Sequence, residues 1–427
     1  MNIYRKIHTD TILPKEVDVV VIGGGIIGAS TALELVEKGL HVALCEKGEI
    51  GAEQSSRNWG WVRRQGRTSE EIPLAILSRE LWKGLEQRIG IDVGYVESGI
   101  LYVASNDKEM ADYENWFNKT RCFGLESRLI GASEVAALLP QSGRKFTGGL
   151  YTAQDGRAEP SEATAAIAQA GRSKGALLFQ NCAVRSIETK AGRLSGVVTE
   201  RGVIKCNAAL IAGGIWTRLF TGNLGINFKQ LAVRSTVARI EHEGPAPQLA
   251  VGGDDFAFRK RKDGGYSIAV RNGNIVELEW DHLRLAADFF PAFKKSRSDL
   301  SVHLGRKLVS SLTTMRRWRD DDITPFELKR INNSTPYGNL AEQALENLIK
   351  AVPSFTGAHV TMAWSGIIDA TPDSLPVISD LPVKGLYMAS GFSGHGFGIS
   401  LAAGRLAAEL IIGKSPCVDP SPFLFKN

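Results

Sequence analysis

The sequence predicts an α/β protein that has one domain built on a parallel sheet and a second, mostly antiparallel-sheet α+β domain. Near the start, residues 17–22 and 41–45 form two short apolar runs, and a helical pattern spans residues 26–38 between them. Strand, helix and strand in this order, with apolar residues on both faces of each strand, are typical of a buried parallel sheet. The middle of the chain instead alternates short strand-like runs with turns, such as the hairpin signal at residues 262–265, which favours antiparallel pairing.

Glycines connect the first strand to the first helix. Gly23 permits a tight turn, Gly25 lets the backbone approach a phosphate, and Gly28 lets the helix pack closely against the strand. Ile27 lies at the N-terminal end of that helix, where backbone N–H groups attract anions. The order of strand, glycine loop and helix predicts a binding site for the pyrophosphate of a dinucleotide.

An acidic residue, Glu46, ends the second strand, and Lys47 follows it. A carboxylate at this position can hydrogen-bond both hydroxyls of an adenosine ribose, and it repels a 2′-phosphate. These residues therefore predict FAD or NAD as the ligand and exclude NADP. The choice between FAD and NAD stays open at this point.

The composition is that of an ordinary globular protein, with 427 residues, 43% of them hydrophobic, and a formal net charge of +5. Basic runs at residues 259–262 and 316–319 are followed directly by aspartates, so we interpret them as solvated loops and expect no nucleic-acid partner. The five cysteines are scattered without CxxC or metal-like spacing, which predicts reduced thiols and no metal site. The sequence shows neither an apolar run of transmembrane length nor a secretory signal, and we expect no membrane span and a cytoplasmic location.

The segment from residue 51 to residue 64 is rich in hydrogen-bond donors and small residues. Its composition favours a site loop over a surface linker. Trp59 and Trp61 are suited to wall an aromatic ligand, and a substrate carboxylate could bind in bidentate fashion to Arg63 or Arg64. Three polar residues earlier in the segment are available to a cofactor, namely Ser55, Ser56 and Arg57.

The remaining patterns divide the chain between the two domains. A strand in the middle of the chain ends in Gly213 and Gly214, followed by Trp216, which would bring bare backbone next to a cofactor at the strand ends. We therefore expect a discontinuous nucleotide-binding domain, with the substrate domain formed by the intervening segments. The expected nucleotide-binding domain comprises residues 1–90, 155–227 and 355–427, and the expected substrate domain comprises residues 91–154 and 228–354.

A second strand, glycine loop and helix occur near the C-terminus, at residues 386–389, 391–398 and 400–412. The positive end of that helix is suited to face a group that gains negative charge on reduction, such as the N1–C2=O edge of a flavin. A nicotinamide enzyme needs one dinucleotide fold, whereas FAD gripped along its length needs contacts from several distant segments. Four glycine-rich or donor-rich segments favour FAD over NAD, at residues 23–28, 51–64, 213–216 and 391–398.

Taken together, these segments resemble the FAD-dependent oxidoreductases of the D-amino acid oxidase superfamily, which includes glycine oxidase, sarcosine oxidase and the flavin subunits of opine oxidases. The resemblance rests on the first glycine loop with Glu46, on residues 55–58, on residues 212–216 and on the terminal cluster at 391–398. It implies a Rossmann-like FAD-binding domain and an antiparallel-sheet substrate domain on one face of the flavin. The residues implied to contact FAD are Gly23, Gly25, Gly28, Glu46, Ser55, Ser56, Val184, Gly213, Gly391, Gly394, His395, Gly396, Phe397 and Gly398.

Three departures from the family limit what the resemblance implies about the substrate. Gly366 stands where sarcosine oxidases attach the flavin through a cysteine, so we expect non-covalent FAD. Gly398 and Ile368 stand where relatives place a lysine or an arginine that binds the substrate carboxylate. An acidic substrate therefore needs another cation. The candidates, in order of preference, are Arg63, Arg64 and Arg259.

The resemblance implies oxidation of the C–N bond of an amino acid or a secondary amine, such as an N-alkyl amino acid or an opine. A neutral amine whose Cα–H points at flavin N5 can lose hydride directly, and water then hydrolyses the imine. Because no protein base is required, we interpret Arg63 as the residue that orients the substrate and His395 as a hydrogen-bonded flavin contact.

Three alternatives stay open on the sequence alone. The chain could be the flavin subunit of a multi-subunit amine or opine dehydrogenase that passes electrons to a partner subunit. A pyridine-nucleotide reductase would need a second strand-bound GxGxxG, which the sequence lacks. A non-catalytic FAD-binding module would carry the same cofactor residues.

Overall fold

The structure of the protein, a computed structural model, describes residues 3–426. The helices are α1 (Ile26–Val36), α2 (Gln54–Arg57), α3 (Ile72–Lys83), α4 (Leu85–Ile89), α5 (Asp107–Thr120), α6 (Ala132–Leu138), α7 (Pro160–Ser173), α8 (Thr217–Asn223), α9 (Trp280–Arg284), α10 (Ala286–Lys295), α11 (Arg306–Thr313), α12 (Pro325–Leu328), α13 (Leu340–Ala351) and α14 (Gly396–Ile412). The strands are β1 (Val19–Ile22), β2 (Val42–Cys45), β3 (Trp61–Val62), β4 (Ile100–Ala104), β5 (Arg128–Gly131), β6 (Gly148–Thr152), β7 (Gly156–Arg157), β8 (Leu177–Phe179), β9 (Val184–Lys190), β10 (Arg193–Thr199), β11 (Gly202–Lys205), β12 (Ala208–Ile211), β13 (Leu231–Glu241), β14 (Ala250–Gly252), β15 (Ala257–Lys260), β16 (Tyr266–Ala269), β17 (Asn274–Glu277), β18 (Leu300–His303), β19 (His359–Ala370), β20 (Val377–Asp380) and β21 (Leu386–Ser390).

A six-stranded sheet carries the N-terminal glycine loop. Its strand order is β20-β21-β12-β1-β2-β8, and β1 pairs in parallel with both β12 and β2, so that Val19 lies opposite Ala208 and Val42. Every residue of β1 and β2 is buried, as expected for apolar strands that are covered on both faces. The carboxyl ends of β1, β2 and β12 meet at one edge, which is where a doubly wound sheet binds its ligand.

Two hydrophobic cores lie on opposite faces of this sheet. Val19 and Val21 belong to the core that includes α1, α7 and α14, whereas Val20 and Ile22 belong to a core with Phe220. The alternation follows from the two-residue repeat of a strand. Within residues 3–426, the helices are too short or too polar to cross a membrane.

Helix α1 is buried along its whole length because α7, α14 and the sheet all pack against it. A Cβ added at Gly404 of α14 would lie 2.6 Å from the Cβ of Ser30 and 2.9 Å from the backbone N of Thr31. A Cβ added at Gly171 of α7 would lie 3.7 Å from the Cα of Leu33, an ordinary contact distance. The close approach of α14 to α1 therefore depends on Gly404, whereas the approach of α7 does not depend on Gly171.

We expect Gly404→Ala to lower the free energy of unfolding by about 2 kcal/mol, because the backbone of α1 cannot move aside without disturbing the core. Gly171→Ala is the matched control, since it adds the same methyl group on the other side of α1. For this control we expect no loss, or a gain of up to about 1 kcal/mol from the higher helix propensity of alanine. Urea denaturation measures both effects, and equal destabilisation by the two substitutions would contradict this packing.

A ten-stranded, mostly antiparallel sheet forms much of the rest of the fold. Its strand order is β18-β17-β13-β16-β15-β14-β4-β6-β5, and β19 pairs with β13 along nearly the whole length of both strands. Strands β15 and β16 pair antiparallel across the turn, which confirms the hairpin predicted at residues 262–265. The mixed α/β fold class predicted from the sequence is confirmed.

One predicted boundary differs from the structure. The third nucleotide-binding segment was expected to begin at residue 355, but β19 belongs to the antiparallel sheet. The chain returns to the parallel sheet only with β20, which pairs with β21. The reason is that an apolar strand pattern does not reveal which of two sheets the strand joins; that is decided by a partner, β13, more than a hundred residues away.

One predicted helix also differs in its bounds. Helix α14 begins at Gly396 rather than at residue 400, so His395 is its N-cap residue. The end of the second glycine loop therefore forms the first turn of α14 and presents its backbone N–H groups there.

Candidate active site

A long cavity opens at the carboxyl ends of β1, β2 and β12. It encloses about 1350 Å³ of empty space, part of it open to solvent. Residues predicted to contact the cofactor that line this cavity are Gly23, Gly25, Ile27, Glu46, Lys47, Ser55, Arg57, Val184, Gly213, Gly214, Trp216, Gly394, Gly396 and Phe397. The other residues predicted for this role lie outside the lining, and they are Gly28, Ser56, Gly391, His395 and Gly398.

Close backbone contacts shape the first glycine loop. Gly23 has a φ of +113°, and a Cβ there would clash with the carbonyl oxygen of Ala212. A Cβ at Gly28 would clash with the carbonyl oxygen of Gly23. A Cβ at Gly25 would meet only the Oγ of Ser55, at 3.1 Å, and would project from the cavity wall. Gly23 and Gly28 thus serve chain packing, whereas Gly25 keeps the wall bare for a ligand.

Two backbone N–H groups hold the carboxylate of Glu46. Gly24 donates to Oε2 at 2.7 Å, and Gly48 donates to Oε1 at 2.8 Å. Burial raises the pKa of Glu46, while Lys47 and the two N–H groups oppose the rise. Each carboxylate oxygen keeps a further lone pair, so Glu46 can accept from a ribose diol without leaving the loop. This set of acceptors and bare glycines fits the adenosine and pyrophosphate portion of FAD.

A loop that follows α12 closes this end of the cavity. Phe326 and Asn332 from this region line the cavity, although no sequence motif marks them as site residues. The guanidinium of Arg57 donates to the carbonyl oxygen of Asn332 at 2.6 Å, and Lys47 Nζ donates to that of Arg330 at 2.7 Å. Arg57 and Lys47, which the sequence predicts as cofactor contacts, therefore hold the closing loop in place.

Asp369 holds the second glycine loop at the other end of the cavity. Its Oδ2 accepts from the N–H groups of Gly391 at 2.9 Å and of Phe392 at 3.3 Å. Burial raises the pKa of Asp369 to about 6, although the backbone N–H groups oppose the rise. Because Asp369 also lines the cavity, an ionisable carboxyl lies where the family resemblance places the flavin ring.

His395 contacts a buried charge cluster. Its Nδ1 lies 3.3 Å from Oε1 of Glu71, and Nη1 of Arg67 lies 3.7 Å from Oε2 of Glu71. Burial opposes the ionisation of Glu71, but His395, which is protonated at acidic pH, and Arg67 outweigh it and lower the pKa of Glu71 to about 2. Burial and Arg67 lower the pKa of His395, although Glu71 opposes this. We therefore assign Glu71 as an ionised carboxylate that accepts a hydrogen bond from Nδ1–H of His395, whose imidazole is neutral at pH 7.

Two arginines and a tryptophan surround the ring of Tyr102. The guanidinium carbons of Arg271 and Arg63 lie 4.4 Å and 5.7 Å from the centroid of that ring, and the Trp61 ring centroid lies 6.0 Å from it. Burial alone would lower the pKa of Arg271, but the phenol groups of Tyr102 and Tyr113 outweigh it and raise that pKa. Within residues 3–426, neither Arg63 nor Arg271 forms an ion pair; the ion pair of this region joins Arg67 and Glu71.

Strand β3 connects this cation cluster to the second glycine loop. A Cβ added at Gly398 would lie 3.0 Å from the carbonyl oxygen of Trp61 and 3.5 Å from the N of Arg63. A Cβ added at Gly252 would lie 3.3 Å from the Trp61 ring and 3.5 Å from Nη1 of Arg271. An aromatic wall with uncompensated cations thus lies directly beside the first turn of α14.

The family of the protein follows from a match along nearly its whole length. Residues 18–410 match the family described as "DAO: FAD dependent oxidoreductase". The chain belongs to this DAO family. It is an FAD-dependent oxidoreductase that acts on amines or amino acids, as the resemblance implied.

Similar proteins support the same assignment. This DAO-family chain is 27% identical to glycine oxidase of Geobacillus kaustophilus over 95% of its own length and 96% of that protein. It is 26% identical to sarcosine oxidase subunit beta of Rhizobium meliloti, over 93% of its own length and 85% of that protein. The structure of L-amino acid deaminase from Proteus myxofaciens in complex with anthranilate is 30% identical, with a TM-score of 0.96 over 99% of this chain and 97% of that chain.

Two arginines that were expected to bind substrate already pair with buried carboxylates in this DAO-family protein. Arg64 Nε donates to Oδ1 of the buried Asp155 at 2.9 Å. Arg259 Nη1 donates to Oε1 of the buried Glu159 at 2.7 Å, and its Nη2 donates to Oε2 at 3.1 Å. Arg64 and Arg259 are therefore not available as substrate anchors, because each already neutralises a buried carboxylate. Arg63 and Arg271 form no ion pair within residues 3–426, so both remain candidates for a substrate anchor.

We expect Asp369 to make the stability of the FAD-free protein depend on pH. An aspartate titrates near about 3.9 in an unfolded chain, whereas Asp369 in the folded chain titrates at about 6. Between these values the folded state binds more protons than the unfolded state, so the stability that Asp369 contributes is lost as pH rises through that window. The total loss is about 3 kcal/mol.

Asp369→Asn keeps an oxygen acceptor for Gly391 and Phe392 but cannot ionise. The free energy of unfolding of this variant, relative to the unsubstituted protein, should therefore rise between about pH 4 and pH 6 and level off above. Urea denaturation across this range measures the difference. A difference that does not change with pH would show that Asp369 keeps an ordinary pKa.

Proposed function

We propose that the protein oxidises the Cα–N bond of an amino acid whose carboxylate is held by Arg271. The placement of Arg271 carries the proposal. Its guanidinium lies against Tyr102, has no ion-pair partner within residues 3–426, and adjoins the strand that contacts the first turn of α14. The similarity to an L-amino acid deaminase that was solved with anthranilate, itself a carboxylate, supports the same substrate class.

Arg271 is fixed in a way that leaves donors for a ligand. Its Nη1 donates to the carbonyl oxygen of Gly253 at 2.9 Å. A guanidinium has five N–H donors in a planar fork, and that geometry matches a carboxylate in bidentate fashion. A fixed guanidinium with spare donors orients a carboxylate without a large loss of side-chain entropy. Arg271 therefore replaces Arg63 as our first choice for the anchor.

When bound, FAD supplies the acceptor for the two electrons and the Cα hydrogen that leave the amine. The residues of the chain then have to orient the substrate and exclude water. Arg271 fixes the carboxylate, and the rings of Trp61 and Tyr102 supply the aromatic wall. The imine product takes up water and releases ammonia. The oxidation itself depends on the orientation of the substrate and not on a side-chain base.

Anaerobic mixing of the holoenzyme with amino acids tests the proposal. The panel contains D- and L-amino acids, N-methyl amino acids, opines and cyclic imino acids, together with the decarboxylated amine of each side chain as a control. We expect at least one carboxylate-bearing compound to bleach the flavin absorbance and its decarboxylated control to be much slower. Bleaching by the control at an equal rate, or by none of the carboxylate-bearing compounds, would overturn the proposal.

A second candidate differs only in the electron acceptor. The similarity to a protein named sarcosine oxidase subunit beta supports a version in which a partner subunit receives the electrons. Mixing the substrate-reduced protein with air distinguishes the two. Rapid reoxidation would support an oxidase, whereas slow reoxidation by air and rapid reoxidation by an artificial acceptor would support a dehydrogenase with a partner.

We also propose how the flavin is held and where in the cell the protein is located. Non-covalent FAD is supported by Gly366, which has no side chain to attach the flavin at the position where the related sarcosine oxidases use a cysteine. Release of the flavin into solution on acid denaturation tests it. A cytoplasmic location is supported by the free state of the five cysteines, and cell fractionation tests it.

A further inference from the structure

Asp369 brings a buried acid to the wall of the cofactor cavity. It lies near the end of β19 and is only 7% exposed, and it lines the cavity together with Gly394, Gly396 and Phe397. These three residues belong to the second glycine loop and to the first turn of α14, where the sequence predicts the flavin. The proposed function gives Asp369 no role, although its carboxyl group belongs to the cavity.

Three successive N–H groups of the second glycine loop point at Asp369. Those of Gly391 and Phe392 donate to its Oδ2 at 2.9 Å and 3.3 Å, and that of Ser393 donates to its backbone carbonyl oxygen at 3.1 Å. Ser393 has a φ of +50°, a conformation that a residue other than glycine rarely adopts. Successive N–H groups in such a turn form a concave site for an anion. The loop therefore folds around Asp369.

The negative charge of Asp369 has no cation to neutralise it. Among residues 3–426 it forms no ion pair, and no side chain donates to either carboxylate oxygen. The charged and titratable groups on neighbouring segments have other partners, namely Arg57 with Asn332, Arg234 with Glu277, His282 with Ala232, Asp373 with Lys426 and His395 with Glu71. Burial therefore raises the pKa of Asp369 to about 6, with only backbone N–H groups opposing the rise.

Reduction of the flavin changes the charge that Asp369 experiences. A flavin that takes up two electrons and one proton gains one negative charge, which its N1–C2=O edge carries. The sequence predicts that this edge faces the first turn of α14, next to the loop that Asp369 holds. A nearby negative charge favours the protonated form of a carboxyl group. Protonation of the other oxygen leaves Oδ2 free to accept from Gly391 and Phe392, so the loop keeps its contacts.

We infer that Asp369 binds a proton when the FAD is reduced and releases it when the FAD is reoxidised. The Cα–H bond of the substrate breaks and supplies two electrons and one proton to FAD, while a second proton from water forms the O–H bond of Asp369. On reoxidation the acceptor takes the two electrons, and both protons leave. Asp369 takes no part in breaking the Cα–H bond, so it is a positioning residue that also offsets the charge of the reduced cofactor.

The midpoint potential of FAD in the holoenzyme, measured against pH, tests the inference. Any electron donor reduces the flavin, so this test is independent of the substrate proposed above. Each proton taken up with two electrons lowers the potential by about 30 mV for each pH unit. We expect a slope of about 60 mV for each unit above pH 6, where Asp369 is ionised in the oxidised protein. A slope of about 30 mV would overturn the inference.

Asp369→Asn keeps the size and the acceptor of the side chain but cannot bind the proton, so its slope should fall to about 30 mV for each pH unit. Asp373→Asn is the matched control, because it makes the same change at an exposed position four residues along the chain and should keep the steeper slope. An unchanged slope in Asp369→Asn would show that the second proton binds elsewhere.

Infrared spectroscopy provides a readout that does not depend on the variant retaining FAD. The reduced-minus-oxidised difference spectrum of the unsubstituted holoenzyme should gain the C=O stretching band of a protonated carboxyl group, and this band should shift in D₂O. Absence of the band above pH 6 would overturn the inference, whatever amine proves to be the substrate.

Discussion

Arg271→Met is expected to lower kcat/KM for amino acids by about 10²- to 10³-fold, the size of effect seen when one partner of a close, buried charge pair is removed. Methionine fills much of the volume of the arginine stem and keeps a contact with Tyr102. The loss should therefore come from the carboxylate and not from a cavity. FAD affinity should be unchanged, because Arg271 is absent from the lining of the cavity that the predicted cofactor contacts form.

Arg271→Lys provides the matched control for charge. It keeps a cation but loses the planar fork, so we expect an intermediate loss of about tenfold. Steady-state kinetics together with FAD titration of each variant measures these effects. A loss of kcat/KM of less than threefold in Arg271→Met is no larger than roughly what a single exposed ion pair contributes. Such a result would show that Arg271 does not anchor the carboxylate. An equal loss of FAD affinity would assign the residue to the cofactor instead.

Gly25→Ala is expected to weaken FAD binding by about 10³-fold while the chain still folds, because it adds a methyl group where we expect the backbone to meet the pyrophosphate. The backbone at Gly25 is extended, with φ −71° and ψ 175°, which alanine tolerates. The added Cβ would meet only the Oγ of Ser55, at 3.1 Å, and a shift of a few tenths of an ångström relieves the contact while Ser55 still accepts from the N–H of Ile26. This variant should therefore lose FAD affinity while it keeps its stability.

Gly28→Ala should instead lose folding and FAD together, since its Cβ would clash with the carbonyl oxygen of Gly23. Gly222→Ala is the control, because a Cβ there would meet open space. Urea denaturation of the FAD-free proteins and titration with FAD compare the three. Normal FAD affinity in Gly25→Ala would contradict the assignment of this loop to the pyrophosphate.

Local patterns were enough to predict most of the fold. Residues that are neighbours in the sequence determine β1 and β2, the glycine loop between β1 and α1, and the hairpin between β15 and β16. Such features arise from the two-residue and 3.6-residue repeats and from turn chemistry. The placement of β19 was not predictable in this way, since its sheet is decided by pairing with the distant β13.

The cofactor side of the site was more predictable than the substrate side, for a physical reason. Pyrophosphate and ribose bind backbone N–H groups and one acid, which require glycines and Glu46 at fixed spacing. A substrate carboxylate needs only a cation, and a lone Arg271 resembles Arg64 and Arg259 in sequence. What distinguishes the three is whether a distant carboxylate already neutralises them, as Asp155 and Glu159 do for the latter two. Only the folded chain reveals that pairing.

A single anaerobic turnover tests most directly whether the protein oxidises an amino acid at this site. The holoenzyme is mixed with the primary amino acid that bleaches the flavin fastest, and the same amino acid carrying deuterium at Cα is used in parallel. Cleavage of the Cα–H bond and oxidation of the Cα–N bond predict slower bleaching with the deuterated compound, and one 2-oxo acid with one ammonia released for each FAD reduced. Bleaching at the same rate with both compounds, and without a 2-oxo acid, would contradict oxidation of an amino acid at this site.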